Sequence, residues 1–121
     1  MIGTVDLVIA GDGSAAHAAA VSALQRGQHV LVVLRSADAR VARRLRRSLL
    51  EIAGADGSQL TVMTRAEVVC VDGVDAVEAV VVRHALTGRL SAVNASAFVS
   101  FHASPQPRRP RSRNDNGSRS V

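Results

Sequence analysis

Gly11-Asp12-Gly13-Ser14-Ala15-Ala16 is the stretch whose residue types and spacing could do chemistry. Two glycines one residue apart, with a small residue three positions on, form the G-x-G-x-x-A variant of a dinucleotide-binding turn. Gly11 can adopt backbone angles that a side chain forbids, so a strand can fold sharply into a helix there. Gly13 has no Cβ, which lets a pyrophosphate approach the main chain. Ala16 is small where helix and strand must pack closely. The first amides of a helix have no partners inside it and sit at the positive end of its dipole, which suits an anion. The same residues also fit a tight strand-to-helix turn with no ligand. Asp12 places a carboxylate near the expected phosphates, at a variable position of the motif.

The flanking elements give the motif its weight. Thr4 to Ala10 is apolar and β-branched at Val5, Val8 and Ile9, and reads as a buried parallel strand. Ser14 to Arg26 is Ala-rich with Val21 and Leu24 on one side, and Gly27 stops it. Gln28 to Leu34 is a second buried strand. Together they make a βαβ unit of the expected size.

Ser36 or Asp38 can cap a second helix reaching about Ala53, with Val41, Leu45, Leu49 and Ile52 as its apolar stripe. Arg40, Arg43, Arg44, Arg46 and Arg47 fall on its other faces. Gly54 to Ser58 is a loop, and Leu60 to Met63 a short third strand. Ala66 to Val71, Val77 to His84 and Arg89 to Asn94 then read as an antiparallel meander, with turn pairs Asp72-Gly73 and Thr87-Gly88 in its connections. Ala97 to Phe101 is a last apolar strand that could return to the parallel sheet. The fold class expected is therefore α/β: a Rossmann-like βαβαβ parallel sheet with helices on its faces, plus a three-stranded meander. Residues 1–104 form the domain. Residues 105–121 read as a disordered Arg-rich tail, because Pro, Arg, Ser, Asn and Gly offer too little apolar surface to fold.

Bulk properties narrow the function classes. The chain has 121 residues, enough for one domain with a modest core. Its aromatics are only two Phe, which argues against single-stranded nucleic-acid binding by base stacking. All 15 basic residues are Arg, and the net charge is +5. The tail holds five Arg against one Asp, so the domain itself carries only about +1 of that charge. Arg108 to Arg113 could meet nucleic acid through counterion release, and the Arg40 to Arg47 cluster could meet phosphate. Each also reads as an ordinary solvated charge run. One cysteine, Cys70, cannot form an internal disulfide and reads as a small buried hydrophobe. His17, His29, His84 and His102 show no metal-ligand spacing. No basic leader follows Met1, and no apolar run is long enough for a membrane span, so a cytoplasmic location without membrane contact is expected.

The order of these elements resembles the NADPH-binding domain of the thioredoxin reductase family, a branch of the FAD-dependent pyridine nucleotide–disulfide oxidoreductases. Val8 to Ala16, His29 to Ser36, Thr64 to Val69, Val77 to Val82, Thr87-Gly88 and Phe98 to Pro105 carry the resemblance, which spans about residues 4–106. It implies that Gly11, Gly13 and Ala16 line a pyrophosphate turn, with Ser14 and Ala15 at the helix start. It implies that Arg35 and Arg40, with Ser36 in place of a second Arg, meet the 2′-phosphate of NADP(H). An acidic residue at position 35 would select NAD instead. A solvated Arg35 with no ligand is the plain alternative.

The departures from the family are as informative. The flavin domain's own Gly-rich turn and the Cys-x-x-Cys pair are absent from this sequence. His102 stands where the family has Gly, and Gln106 where it has Asn. These departures suggest a fragment or diverged remnant, inactive alone, with FAD supplied only by a missing domain or a partner chain. The alternative is an interaction or structural domain that kept the fold, lost the nucleotide and self-associates as a homo-oligomer.

Overall fold

The structure is a computed structural model and describes residues 4–11, 13–35 and 38–101. Its elements follow the expected order. Strand β1 is Thr4–Ala10, helix α1 Ser14–Gln25, strand β2 Val30–Val33, helix α2 Ala39–Ala53 and strand β3 Leu60–Met63. Strands β4 (Ala66–Asp72), β5 (Ala79–His84) and β6 (Leu90–Ser100) complete the chain. They form one six-stranded mixed sheet, in the order β3-β2-β1-β6-β5-β4. The sequence expectation for the tail lies outside the described residues.

Alternation along β1 and β2 explains the layers. Leu7, Ile9, Val30, Val32 and Leu34 pack with Ala16, Ala20, Ala23 and Leu24 of α1 and Leu49 of α2. Val8, Ala10, Leu31 and Val33 point the other way, against Val68, Val80, Val82 and Val93 of the meander. Successive side chains of a strand face opposite sides. Helices therefore cover one face of the parallel strands, and the meander covers the other. Both faces are buried, which is why β1 and β2 are continuous apolar runs. The small Ala16, Ala20 and Ala23 let α1 lie close to the sheet.

Where the sequence suggests two strands, Arg89 to Asn94 and Ala97 to Phe101, the structure has one. β6 runs antiparallel to β5 over Leu90 to Asn94 and then parallel to β1 from Asn94 to Ser100. Asn94 is paired with both Ala79 and Thr4. The sequence reading leaves the Ala95-Ser96 segment as a break between the two expected strands. Its backbone groups nonetheless stay in a ladder, with the Ala95 N–H donating to the Glu78 carbonyl at 3.1 Å. Backbone satisfaction overrides the local composition.

Helix α2 is capped by Asp38, whose carboxylate accepts from the Val41 N–H at 2.9 Å, and it ends at Gly54 with φ 65°. Its buried face is rotated from the expected stripe. Leu49 is 1% exposed, but Val41 is 43% and Ile52 63% exposed. At 3.6 residues per turn, Leu49, Leu50 and Ala53 share one face with Arg46, and Val41 and Ile52 fall on its border. Arg46 is accordingly not on the solvated side. Its guanidinium donates to the carbonyls of Leu60 at 3.2 Å and Gly57 at 2.7 Å. The loop before β3 also holds a short 3-10 turn, Gly57–Gln59. Gln59 donates from Nε2 to the carbonyls of Leu24 and Gln28, tying the start of β3 to the end of α1.

Leu49→Ala is expected to destabilise the fold by about 2–5 kcal/mol. Ile52→Ala is expected to cost less than about 1 kcal/mol. Urea unfolding of the two variants measures this, and the reverse order would place the buried face of α2 along Val41 and Ile52.

Candidate functional site

The carboxyl end of β1 is where the sheet changes direction of growth. From β1 the chain adds β2 and β3 on one side, and it returns as β6 on the other. Such switch points open a crevice beyond the strand ends in α/β sheets. Ala10 pairs with Val33 in β2 and with Ser100 in β6, so the residues following β1 emerge between two neighbouring strand ends.

The turn begins at Gly11, which is buried and has φ 118°. Its N–H donates to the Val33 carbonyl at 3.1 Å, extending the β1–β2 ladder by one residue. Gly13 follows with φ 101° and ψ 176°, as the N-cap of α1. A side chain at either angle is strained. A Cβ built on Gly13 meets nothing within 4 Å, so the space in front of the main chain is open.

The Gly13 carbonyl accepts the first helical bond from the His17 N–H at 2.9 Å. The amides of Ser14, Ala15 and Ala16 precede that bond and have no acceptor inside the helix. Among the described residues no side chain caps α1, and no acidic residue lies in its first turn. Ser14 and Ala15 are exposed, and Ala16 is 3% exposed against the sheet. This end of α1 thus has unused donors, a partial positive charge and room for an anion.

The remaining residues named from the sequence lie on neighbouring pieces of the same edge. Arg35 is exposed immediately beyond β2, and Arg40 is exposed in the first turn of α2. Ser36 and Asp12 fall outside the described residues. The architecture therefore brings the Gly11 to Ala16 turn and Arg35 to adjacent strand ends.

A second feature of that edge was not singled out from the sequence. A cleft of about 640 Å³ opens between the start of α2, the end of β3 and the β5–β6 hairpin. Thr64, Arg65, His84, Thr87, Arg89 and Ser91 supply its polar lining. These residues are scattered over 28 positions of sequence, and only the meander's fold-back unites them. The Thr87-Gly88 turn signal marks the hairpin, but nothing in local spacing reveals that it folds toward Arg65.

Other candidates resolve simply. Cys70 is buried, and its thiol donates to Asp72 Oδ1 at 3.0 Å. Among the described residues no group of three His, Cys, Asp or Glu could hold a metal ion. None of the described helices is long and apolar enough to cross a membrane.

No protein-family model and no curated relative matches the sequence. Solved structures do match the fold. Thioredoxin reductase from Streptococcus pyogenes aligns with 84% of this chain at 20% identity and a TM-score of 0.61. Thioredoxin reductase from Giardia duodenalis aligns with 84% at 16% identity and a TM-score of 0.60. A myxobacterial chondrochloren halogenase, a variant of FAD-dependent halogenases, aligns with 81% at 15% identity and a TM-score of 0.60. The chain covers 32%, 32% and 37% of those proteins, about a third of each. These likenesses establish the fold alone: the chain shares its α/β architecture with the matched parts of these proteins.

Proposed function

We propose that this chain is an NADP(H)-binding module, similar to the pyridine-nucleotide domain of a thioredoxin reductase-like flavin oxidoreductase. The observation that carries the reading is the opening of α1. Among the described residues no group accepts from its first amides, and a Cβ at Gly13 would meet nothing within 4 Å. In this reading the amides of Ser14, Ala15 and Ala16 hold the pyrophosphate, and Gly13 allows its approach. Arg35 and Arg40, with the Ser36 hydroxyl, meet the 2′-phosphate. An exposed arginine directly beyond β2 supports NADP over NAD, because an acidic residue there would bind the ribose hydroxyls instead.

The nicotinamide supplies hydride chemistry when bound. The chain's own contribution is to grip and orient the phosphates. The flavin that receives the hydride, and the disulfide centre beyond it, belong in this proposal to a missing domain or a partner chain. The chain is then a fragment or diverged remnant of a larger oxidoreductase.

Calorimetric titration with NADPH and NADH tests the module directly. A charge-assisted contact to phosphate contributes roughly 1.5–3 kcal/mol. NADPH is thus expected to bind at least about tenfold more tightly than NADH, a preference lost in Arg35→Ala. Absence of binding by either nucleotide would leave the turn as architecture and favour a non-catalytic interaction domain. Gly13→Ala is expected to cost about 1–3 kcal/mol of stability, read by thermal unfolding, because alanine is strained at φ 101°. It is expected to weaken NADPH as well. Mixed with NADPH, FAD and a disulfide, the isolated chain is expected to give no absorbance decay at 340 nm above background (the standard wavelength for reduced nicotinamide). Sustained turnover would show that it carries a complete reductase site.

A further inference from the structure

The polar cleft shares no residue with the dinucleotide turn, and the proposed function does not use it. We propose that this cleft binds a phosphate monoester, gripped by Arg65 and Arg89, on a small molecule of about mononucleotide size.

The lining chemistry selects an anion. Among the described residues the lining includes two arginines, His84 and the hydroxyl-bearing Thr64, Thr87 and Ser91, and no acidic residue. Arginine presents planar, paired donors that match phosphate oxygens. Neighbouring arginines are already engaged: Arg83 with the Glu67 carboxylate, and Arg46 with two backbone carbonyls. Among the described residues, Arg65 and Arg89 have no side-chain hydrogen bond or ion pair. Asp38, the N-cap of α2, turns its carboxylate to the Val41 N–H. Ala39, the first residue of α2, also lines the cleft.

The backbone around the cleft is held in place. Arg65 has φ 52°, the one non-glycine residue at positive φ among those described. It is fixed on both sides: the Ala66 N–H donates to the Leu34 carbonyl, and the Arg65 carbonyl accepts from the Ala85 N–H at 2.8 Å. A large side chain kept in a left-handed conformation marks a position where the side chain's direction matters. Across the cleft, the hairpin is closed by the His84 N–H to the Arg89 carbonyl at 2.9 Å and the Gly88 N–H to the His84 carbonyl at 2.7 Å. His84 Nε2 is 3.2 Å from Ser91 Oγ, which orients both groups. Two cations on separately braced segments thus face one cavity.

The volume sets the ligand's size. At about 640 Å³ the cleft exceeds what inorganic phosphate needs and lies within the ordinary range for small-molecule sites. Leu86, 76% exposed on the hairpin, offers an apolar wall for the body that carries the phosphate. The phosphate belongs to a separate phosphorylated metabolite, since the proposed function gives the 2′-phosphate of a dinucleotide to Arg35 and Arg40, and the test must tell these two apart.

Amide chemical-shift titration of the full chain distinguishes them, with inorganic phosphate as one probe and adenosine 2′-monophosphate as the other. Saturable shifts at Thr64, Arg65 and the hairpin from Ala85 to Ser91 are expected. Arg65→Asn, which tolerates positive φ, and Arg89→Gln, on the exposed hairpin, are each expected to weaken binding at least about tenfold. Thermal unfolding of each variant confirms that it is folded. If the cleft shifts while Gly13 to Ala16 stay unmoved, and Arg35→Ala has no effect, the ligand is a separate phosphate monoester. If adenosine 2′-monophosphate moves cleft and turn together, and Arg35→Ala weakens it, the phosphate belongs to the dinucleotide. The first result supports the proposal, and the second overturns it by making the cleft part of the dinucleotide site. No saturable shift with either probe, or shifts that persist in the Arg65→Asn/Arg89→Gln variant, would overturn it. The inorganic-phosphate arm does not depend on nucleotide binding at the turn, so either proposal can fail without the other.

Discussion

The parallel pairing of β6 with β1 is the constraint on which the rest of this molecule depends. Residues Asn94 to Ser100 lie along Thr4 to Ala10, joining the last segment of the domain to its first. Without that pairing β1 would be an edge strand with one row of backbone groups unmet. With it, β1 becomes central, and both of its faces need covering. The two helices cover one. The meander covers the other, because β6 reaches β1 only by arriving from β5 across that face. A local ladder of hydrogen bonds thus decides the layering of the whole domain.

The same pairing fixes where chemistry can occur. Parallel strands align their carboxyl ends on one edge, and the loops that follow them gather there. Gly11 leaves β1 between the ends of β2 and β6, so α1 starts at the centre of that edge. Arg35 leaves β2 beside it. The meander begins at Arg65 beyond β3, and its β5–β6 hairpin folds back to the same place. The core is almost wholly aliphatic, and the cations of this edge lie outside it. Residues on the edge can therefore change without disturbing the packing beneath.

How legible this was in the sequence depended on the range of the interaction that decides each feature. The βαβ unit was readable because its signals are local: an apolar run, a Gly-x-Gly turn, an alanine helix and a second apolar run. The cap at Asp38 and the stop at Gly54 belong to the same class. The face of α2 was read less well, since periodicity treats Val41, Leu45, Leu49 and Ile52 as equivalent. The sheet contacts that make Leu49 and Arg46 the inward positions are tertiary. Arg46 is the clearest case: an arginine in an arginine-rich run looks solvated, yet carbonyls of Gly57 and Leu60 recruit it. The continuity of β6 through Asn94 was hidden for a related reason. Backbone ladders do not depend on side-chain polarity, so Asn94 and Ser96 need not end a strand. The cleft was the least legible feature, because its two arginines come from segments joined only by the meander's return.

Arginine thus plays three physical roles in one small domain, and burial sorts them. Arg46 is half-buried and structural, its donors consumed by backbone acceptors. Arg83 is surface-exposed and paired across strands with Glu67, where solvent screening leaves the pair a contribution of at most about 1 kcal/mol. Arg35, Arg65 and Arg89 are exposed at the carboxyl edge. The fold does not need their charge: none of the three completes a core contact, a cap or an ion pair among the described residues. Like charges gathered on one edge repel. An anionic ligand would offset it by supplying the missing opposite charge. The two proposed sites, at the Gly11 turn and in the polar cleft, accordingly answer to one electrostatic condition set up by strand polarity.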